Sequence, residues 1–133
     1  LAILLVKLGR YPWEVEQRQK VAHIYNQEFS SLSNLVTPIV RDDRDSVYAQ
    51  YTVKTDKRAE FQKRLMEKGV PTSIHYPKGM HEQPALSAFK PEQALKVTED
   101  VCEKVISLPL YADMPEEHIQ YVVEKVKEVC SDL

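Results

Sequence analysis

Two of the chain's four histidines, a tyrosine and a lysine fall within the run His75-Tyr76-Pro77-Lys78-Gly79-Met80-His81. Imidazole and phenol groups donate and accept hydrogen bonds, and an ammonium donates them. The set can therefore bond hydroxyl, carboxylate or phosphate oxygens. Pro77 and Pro84 fix φ and push Tyr76 and Gln83 towards extended backbone, while Gly79 permits a positive φ between them. A loop shaped in this way and held by a strand is where binding groups tend to sit. Taken by itself, the loop reads first as a structural turn whose ring nitrogens bond backbone. Metal binding is not expected, because His75 and His81 lie six apart on a proline-containing loop with no cysteine or acidic pair at ligand spacing. His23 and His118 fall in helical patterns and read as helix-surface or packing residues.

The elements that must position this loop come from a chain of 133 residues, enough for one domain with a core. Hydrophobic residues at 43% and charged residues at 29% are those of a soluble globular protein. A formal charge of −2 offers no basic patch for nucleic acid. Cys102 and Cys130 lie in separate helical patterns and read as small buried hydrophobes in a reducing compartment, which points to the cytoplasm. No apolar run approaches membrane-spanning length, so no membrane partner is expected.

The run Leu1-Ala2-Ile3-Leu4-Leu5-Val6-Lys7-Leu8 is apolar on nearly every side. A surface helix would show a polar face. Residues 1–12 therefore read as the end of a helix that once met another domain, and the chain as a C-terminal piece of a longer protein. Gly9 and Pro12 should interrupt this helix. A second helix is expected from Trp13 to Ser30, with Val15, Ala22, Tyr25 and Phe29 on one stripe and Glu14, Glu16, Arg18 and Lys20 off it.

Thr37-Pro38-Ile39-Val40 reads as a short edge strand and Arg41 to Asp45 as a solvated turn. Ser46 to Lys54, rich in Tyr, Val and Thr, is the strongest strand pattern. Asp56 is a candidate cap for a helix that pairs Phe61 with Leu65 and stops at Gly69. A strand over Thr72 to His75 leads into the loop. The next helix opens around Phe89-Lys90-Pro91-Glu92, with Ala94, Val97, Val101 and Val105 on one face. Ile106 to Leu108 reads as a further short strand, closed by Pro109. Asp113-Met114-Pro115-Glu116 starts a last helix that turns Ile119, Val122, Val126 and Val129 inward. The expected fold class is α+β: a small sheet of about three strands, covered by helices mainly on one face. If the last strand lies between the two earlier ones, that sheet is antiparallel.

Four blocks in this order resemble a known family. They are Ser46 to Val53, Gly69 to Pro77, His81 to Pro84, and Ser107 to Tyr111. The combination resembles the C-terminal domain of the DegT/StrS-type sugar-nucleotide aminotransferases, and Ala2 to Leu8 resembles that family's interdomain helix. The resemblance implies a pyridoxal-phosphate enzyme of the aspartate-aminotransferase fold, commonly a homodimer. Such an enzyme moves an amino group, often from glutamate, onto a nucleotide-linked keto-sugar. It further implies that the Schiff-base lysine lies in a large N-terminal domain. The present chain would then hold no catalytic residue and no cofactor, and would be inactive alone. By the same resemblance His75, Tyr76 and His81 face the sugar nucleotide at the active-site mouth. Ser46 to Val53 is similar to the branch that aminates the 3-keto form of UDP-N-acetylglucosaminuronic acid for bacterial surface polysaccharides, whereas Lys78-Gly79-Met80 departs from that branch. The alternative is a free-standing, non-catalytic ligand-binding or interaction module with the same α+β layer.

Overall fold

The computed structural model describes residues 2–89 and 91–133. Leu1 of the apolar run and Lys90 of the expected helix start lie outside the described residues. The first element is one helix, α1 (Ala2–Phe29), which runs through Gly9 and Pro12 without a break. The two helices expected here are therefore one. Proline removes the bond to the Leu8 carbonyl and crowds the turn before it. That turn is open to solvent, with Leu8 and Tyr11 both exposed, so water can satisfy the freed carbonyl. Only the second half of α1 reaches the core, through Val21, Ala22, Tyr25 and Phe29.

The sheet has two strands, β1 (Tyr51–Lys54) and β2 (Val105–Leu108), paired antiparallel with Tyr51 opposite Leu108 and Val53 opposite Ile106. The strand expected over Thr72 to His75 is reduced to one antiparallel bridge, Ser73 to Ser107. It lies on the outer side of β2, so β2 sits between β1 and Ser73, the order on which an antiparallel sheet was expected. Pro71, which has no N–H to give, stands just before the bridge and Pro77 just after it. On the other side, Val36 bridges to Lys54, one residue before the edge strand expected over Thr37 to Val40. The Ser46 to Lys54 pattern yields a strand only from Tyr51. Before it, Tyr48 takes a left-handed φ of 43° and its N–H donates to Ser46 Oγ at 3.2 Å.

Helix α2 (Arg58–Glu67) buries Phe61 and Leu65 completely, and ends as expected at Gly69, which has φ of 74°. Gly69 N–H bonds the Met66 carbonyl and Val70 N–H bonds the Leu65 carbonyl, the paired bonds of a Schellman motif. Asp56 does not cap this helix; its carboxylate takes the Lys104 ammonium at 2.9 Å. Helix α3 (Lys96–Lys104) starts later than the Pro91 pattern suggests and has no fully buried residue. Val97 is 78% exposed and Ala94 is exposed too, so only Val101 and Val105 of the expected inward face are half-buried. Helix α4 (Glu116–Ser131) buries Ile119, Val122, Val126 and Val129, the face read from its periodicity, and packs against α1 and α2. Asp113 stands outside the cap and pairs with Arg10 of α1.

Tyr51, Val53, Ile106 and Leu108 carry the apolar side of the sheet into the core with Tyr25, Phe29 and the α4 valines. Thr52 and Ser107 lie opposite each other across the two strands, their hydroxyls 2.9 Å apart. Cys102 and Cys130 are free thiols, and among the described residues no helix is long and apolar enough to cross a membrane.

Candidate functional site

A groove of about 280 Å³ opens at the end of β2. Its walls come from three separate stretches: Ala49 and Gln50 before β1, Pro71, Ser73 and His75 after α2, and Ser107 to Leu110. The sheet explains why they meet. The β1–β2 register brings the start of β1 beside the end of β2, and the Ser73–Ser107 bridge adds the third stretch through bonds of 2.7 and 3.1 Å. Three of the four blocks singled out in the sequence therefore converge on one cleft.

Helix α1 holds the rim. Arg18 Nη1 donates to the Tyr48 carbonyl at 3.2 Å and reaches the Leu110 carbonyl at 3.5 Å. Gln19 Nε2 donates to the Ser46 carbonyl at 3.0 Å, and Tyr25 Oη to the Pro109 carbonyl at 2.9 Å. Helical spacing puts Arg18 off the apolar stripe, yet it ties the Tyr48 and Leu110 backbones together. Its i+3/i+4 spacing is that of a solvated residue, and only the tertiary contact shows its role.

The polar groups on the groove wall are the Gln50 amide, the Ser73 and Ser107 hydroxyls and the His75 imidazole. All can donate, and no lining residue is an Asp or Glu. The cleft is thus suited to acceptor-rich ligands. Tyr76 stands just outside it, 72% exposed, with its ring edge-on to His75 at 5.8 Å. The peptide between these two residues is cis.

His81 is not part of the groove. It lies in a short 3₁₀ turn (Met80–Glu82), where its Nε2 is 3.1 Å from Glu99 Oε1 of α3 and its side chain is only 11% exposed. Gln83 after it is extended, as Pro84 requires. Gly79 does not use a positive φ: its φ is −62°. It is a glycine for lack of space, because a Cβ there would lie 2.6 Å from the His81 ring. His23 and His118 are both exposed helical residues, His118 Nδ1 lying 3.2 Å from Tyr111 Oη.

With this geometry in hand, comparison with known proteins gives the family. The profile of the DegT/DnrJ/EryC1/StrS aminotransferase family matches residues 1–127. The chain belongs to that family. A UDP-2-acetamido-2-deoxy-3-oxo-D-glucuronate aminotransferase from Pseudomonas aeruginosa is 40% identical over 110 residues, 83% of this chain and 30% of that protein. A pleiotropic regulatory protein from Geobacillus stearothermophilus is 37% identical over 130 residues, 96% of this chain and 35% of its own. Among solved structures, DesV of S. venezuelae in complex with a ketimine intermediate superposes on 99% of this chain and 36% of its own, with a TM-score of 0.94 at 27% identity. The chain therefore spans about a third of the length of the aminotransferase-family relatives it matches. The sheet-and-helix layer described above is one part of their larger fold.

Proposed function

We propose that this chain is the C-terminal small domain of a pyridoxal-phosphate-dependent aminotransferase acting on a nucleotide-linked keto-sugar. The substrate we favour is the 3-keto form of UDP-N-acetylglucosaminuronic acid, with glutamate as amino donor, in the cytoplasmic synthesis of a bacterial surface polysaccharide. The observation that carries the reading is the groove: three of the matched blocks meet there, and its polar side chains can all donate, with no carboxylate among them, to a ligand rich in hydroxyl, carboxylate and phosphate oxygens. Identity of 40% to the P. aeruginosa enzyme supports the choice of sugar.

The residues of this chain do not suit the cofactor's attachment. A Schiff-base lysine must lose its proton, which burial away from carboxylates favours. Among the described residues no lysine is buried. Lys104 is bonded to Asp100 at 2.6 Å and Asp56 at 2.9 Å, and those bonds hold its ammonium well above the ordinary lysine range. We therefore assign cofactor attachment and the amino-transfer steps to a large N-terminal domain, and to this chain the binding of substrate through His75 and Tyr76. The exposed first half of α1, with Ile3, Leu4, Leu5, Val6 and Leu8 all more than 60% exposed, is the surface we assign to contact with that domain in a homodimer.

The test is steady-state kinetics on the intact enzyme. His75→Ala should raise KM for the sugar nucleotide about tenfold or more, the cost of a hydrogen bond to a charged group, and leave KM for the amino donor nearly unchanged. The isolated chain with pyridoxal phosphate should transfer no amino group. An intact enzyme that ignores nucleotide sugars, or a His75→Ala variant with normal sugar KM, refutes the reading.

A further inference from the structure

The loop after Ser73 has little to hold it. From Pro71 to Phe89 the one fully buried residue is Gly79, while Tyr76, Met80 and Phe89 are each more than 70% exposed. A segment with so few buried contacts opens locally at small cost unless specific bonds close it. Those bonds cluster at one point. Gly79 N–H donates to Glu82 Oε2 at 2.9 Å, and Glu82 N–H donates back to the Gly79 carbonyl at 3.0 Å. The His81 ring packs on Gly79 so closely that an added Cβ would sit 2.6 Å from its Cε1 and 2.7 Å from its Nδ1. Beyond the ring, His81 Nε2 meets Glu99 Oε1 at 3.1 Å, with Thr98 of α3 against the same glycine. A carboxylate only accepts, so Nε2 carries the proton of this bond.

We propose that Gly79, His81 and Glu99 form a latch between the loop and α3, and that His81 is a positioning residue that sets His75 and Tyr76 at the groove. The inference rests on the substrate reading given above for His75 and Tyr76. The latch makes His81 work through its contacts with α3, since its Nε2 is engaged by Glu99 and it does not line the groove. It also gives Gly79 a reason that is steric, because the backbone angle there is one any residue adopts.

Hydrogen exchange and kinetics on the intact enzyme separate the possibilities. In His81→Ala, Glu99→Ala and Gly79→Ala, amides of residues 79–83 should exchange about tenfold faster, with α4 amides unchanged as the check on folding. The double variant His81→Ala/Glu99→Ala should exchange no faster than either single variant, because the two residues act as one unit. His81→Gln, which keeps a donor in reach of Glu99, should stay near the parent. KM for the sugar nucleotide should rise about three- to tenfold in the latch variants with kcat within about twofold, the pattern of weakened ground-state binding. Unchanged exchange in His81→Ala and Glu99→Ala overturns the latch. Faster exchange with an unchanged sugar KM overturns the positioning role. A raised KM in His81→Ala alone, with Glu99→Ala silent, makes His81 a direct ligand and also overturns it. If the parent enzyme binds no sugar nucleotide, the substrate reading fails, and with it the positioning role, while the exchange data still decide the latch.

Discussion

Tyr25 of α1 donates its phenolic hydrogen to the Pro109 carbonyl at 2.9 Å, joining the core helix to the wall of the groove. The ring is fully buried, stacked on Phe29 at 5.4 Å and edge-on to Tyr51 at 5.1 Å. Burial also pushes the Tyr25 phenol well above its ordinary range, so it remains a donor in alkaline solution. Tyr25→Phe keeps the packing and leaves the Pro109 oxygen without its partner. The expected loss is about 1–3 kcal/mol in urea unfolding. A variant as stable as the parent would mean that water replaces the phenol at no cost.

Two glycines should respond to alanine with opposite signs. Gly69 has open space around it but a φ of 74°, so Gly69→Ala should cost about 1–2 kcal/mol through the backbone alone. Gly9 also has open space and lies inside helix α1, so Gly9→Ala should favour that helix by about 0.5–1 kcal/mol. Denaturant midpoints read the first and helical circular dichroism the second. Equal effects at both sites would contradict the assigned conformations.

Acid should weaken the fold. The Lys104 bond holds Asp56 below the ordinary carboxylate range, Arg64 does the same for Glu60, and Lys68 with Lys125 for Glu128. A carboxylate with a lowered folded-state pKa binds protons less readily than it does unfolded. Its stabilisation is complete above the unfolded values of 3.8 and 4.5 and is lost as pH falls through the lower folded ones. All three sit on the surface, so the effect is small and salt should reduce it. Unfolding midpoints measured from pH 7 to pH 2 should fall below about pH 4. The slope should be shallower in Asp56→Asn/Glu60→Gln/Glu128→Gln. Stability that rises on acidification would refute these pairings.

Cys130 is buried in the last turn of α4, and burial pushes its thiol up to about 11. The thiolate is the reactive form, so at pH 8 Cys130 should resist alkylation in the folded chain. Cys102 is only half-buried and should react first. Mass spectrometry after brief iodoacetamide treatment, with and without urea, checks this. Rapid labelling of Cys130 without denaturant would show that the C-terminal end of α4 opens readily.

The sequence by itself determined the elements whose signals are local. The 3.6-residue spacing of Ile119, Val122, Val126 and Val129 names the inner face of α4, and those residues are all buried. Gly69 announces the end of α2 because only a left-handed residue closes that turn easily. The four blocks carried the family for the same reason, since each is a short contiguous run. Tertiary structure decided what depends on distant partners. Solvent around Leu8 and Tyr11 lets α1 continue through Pro12, where the local rule predicts a break. Asp56 and Asp113 look like caps in sequence, but Lys104 and Arg10 lie in reach and hold them outside. The three strands expected became two and a bridge, and on one side of that bridge Pro71 has no N–H with which to extend the ladder. His75 and His81 look alike as neighbours on one loop. Folding separates them, one onto the groove wall and the other against Glu99, eighteen positions along the chain. No spacing rule within a loop can encode that contact, because it depends on where α3 packs.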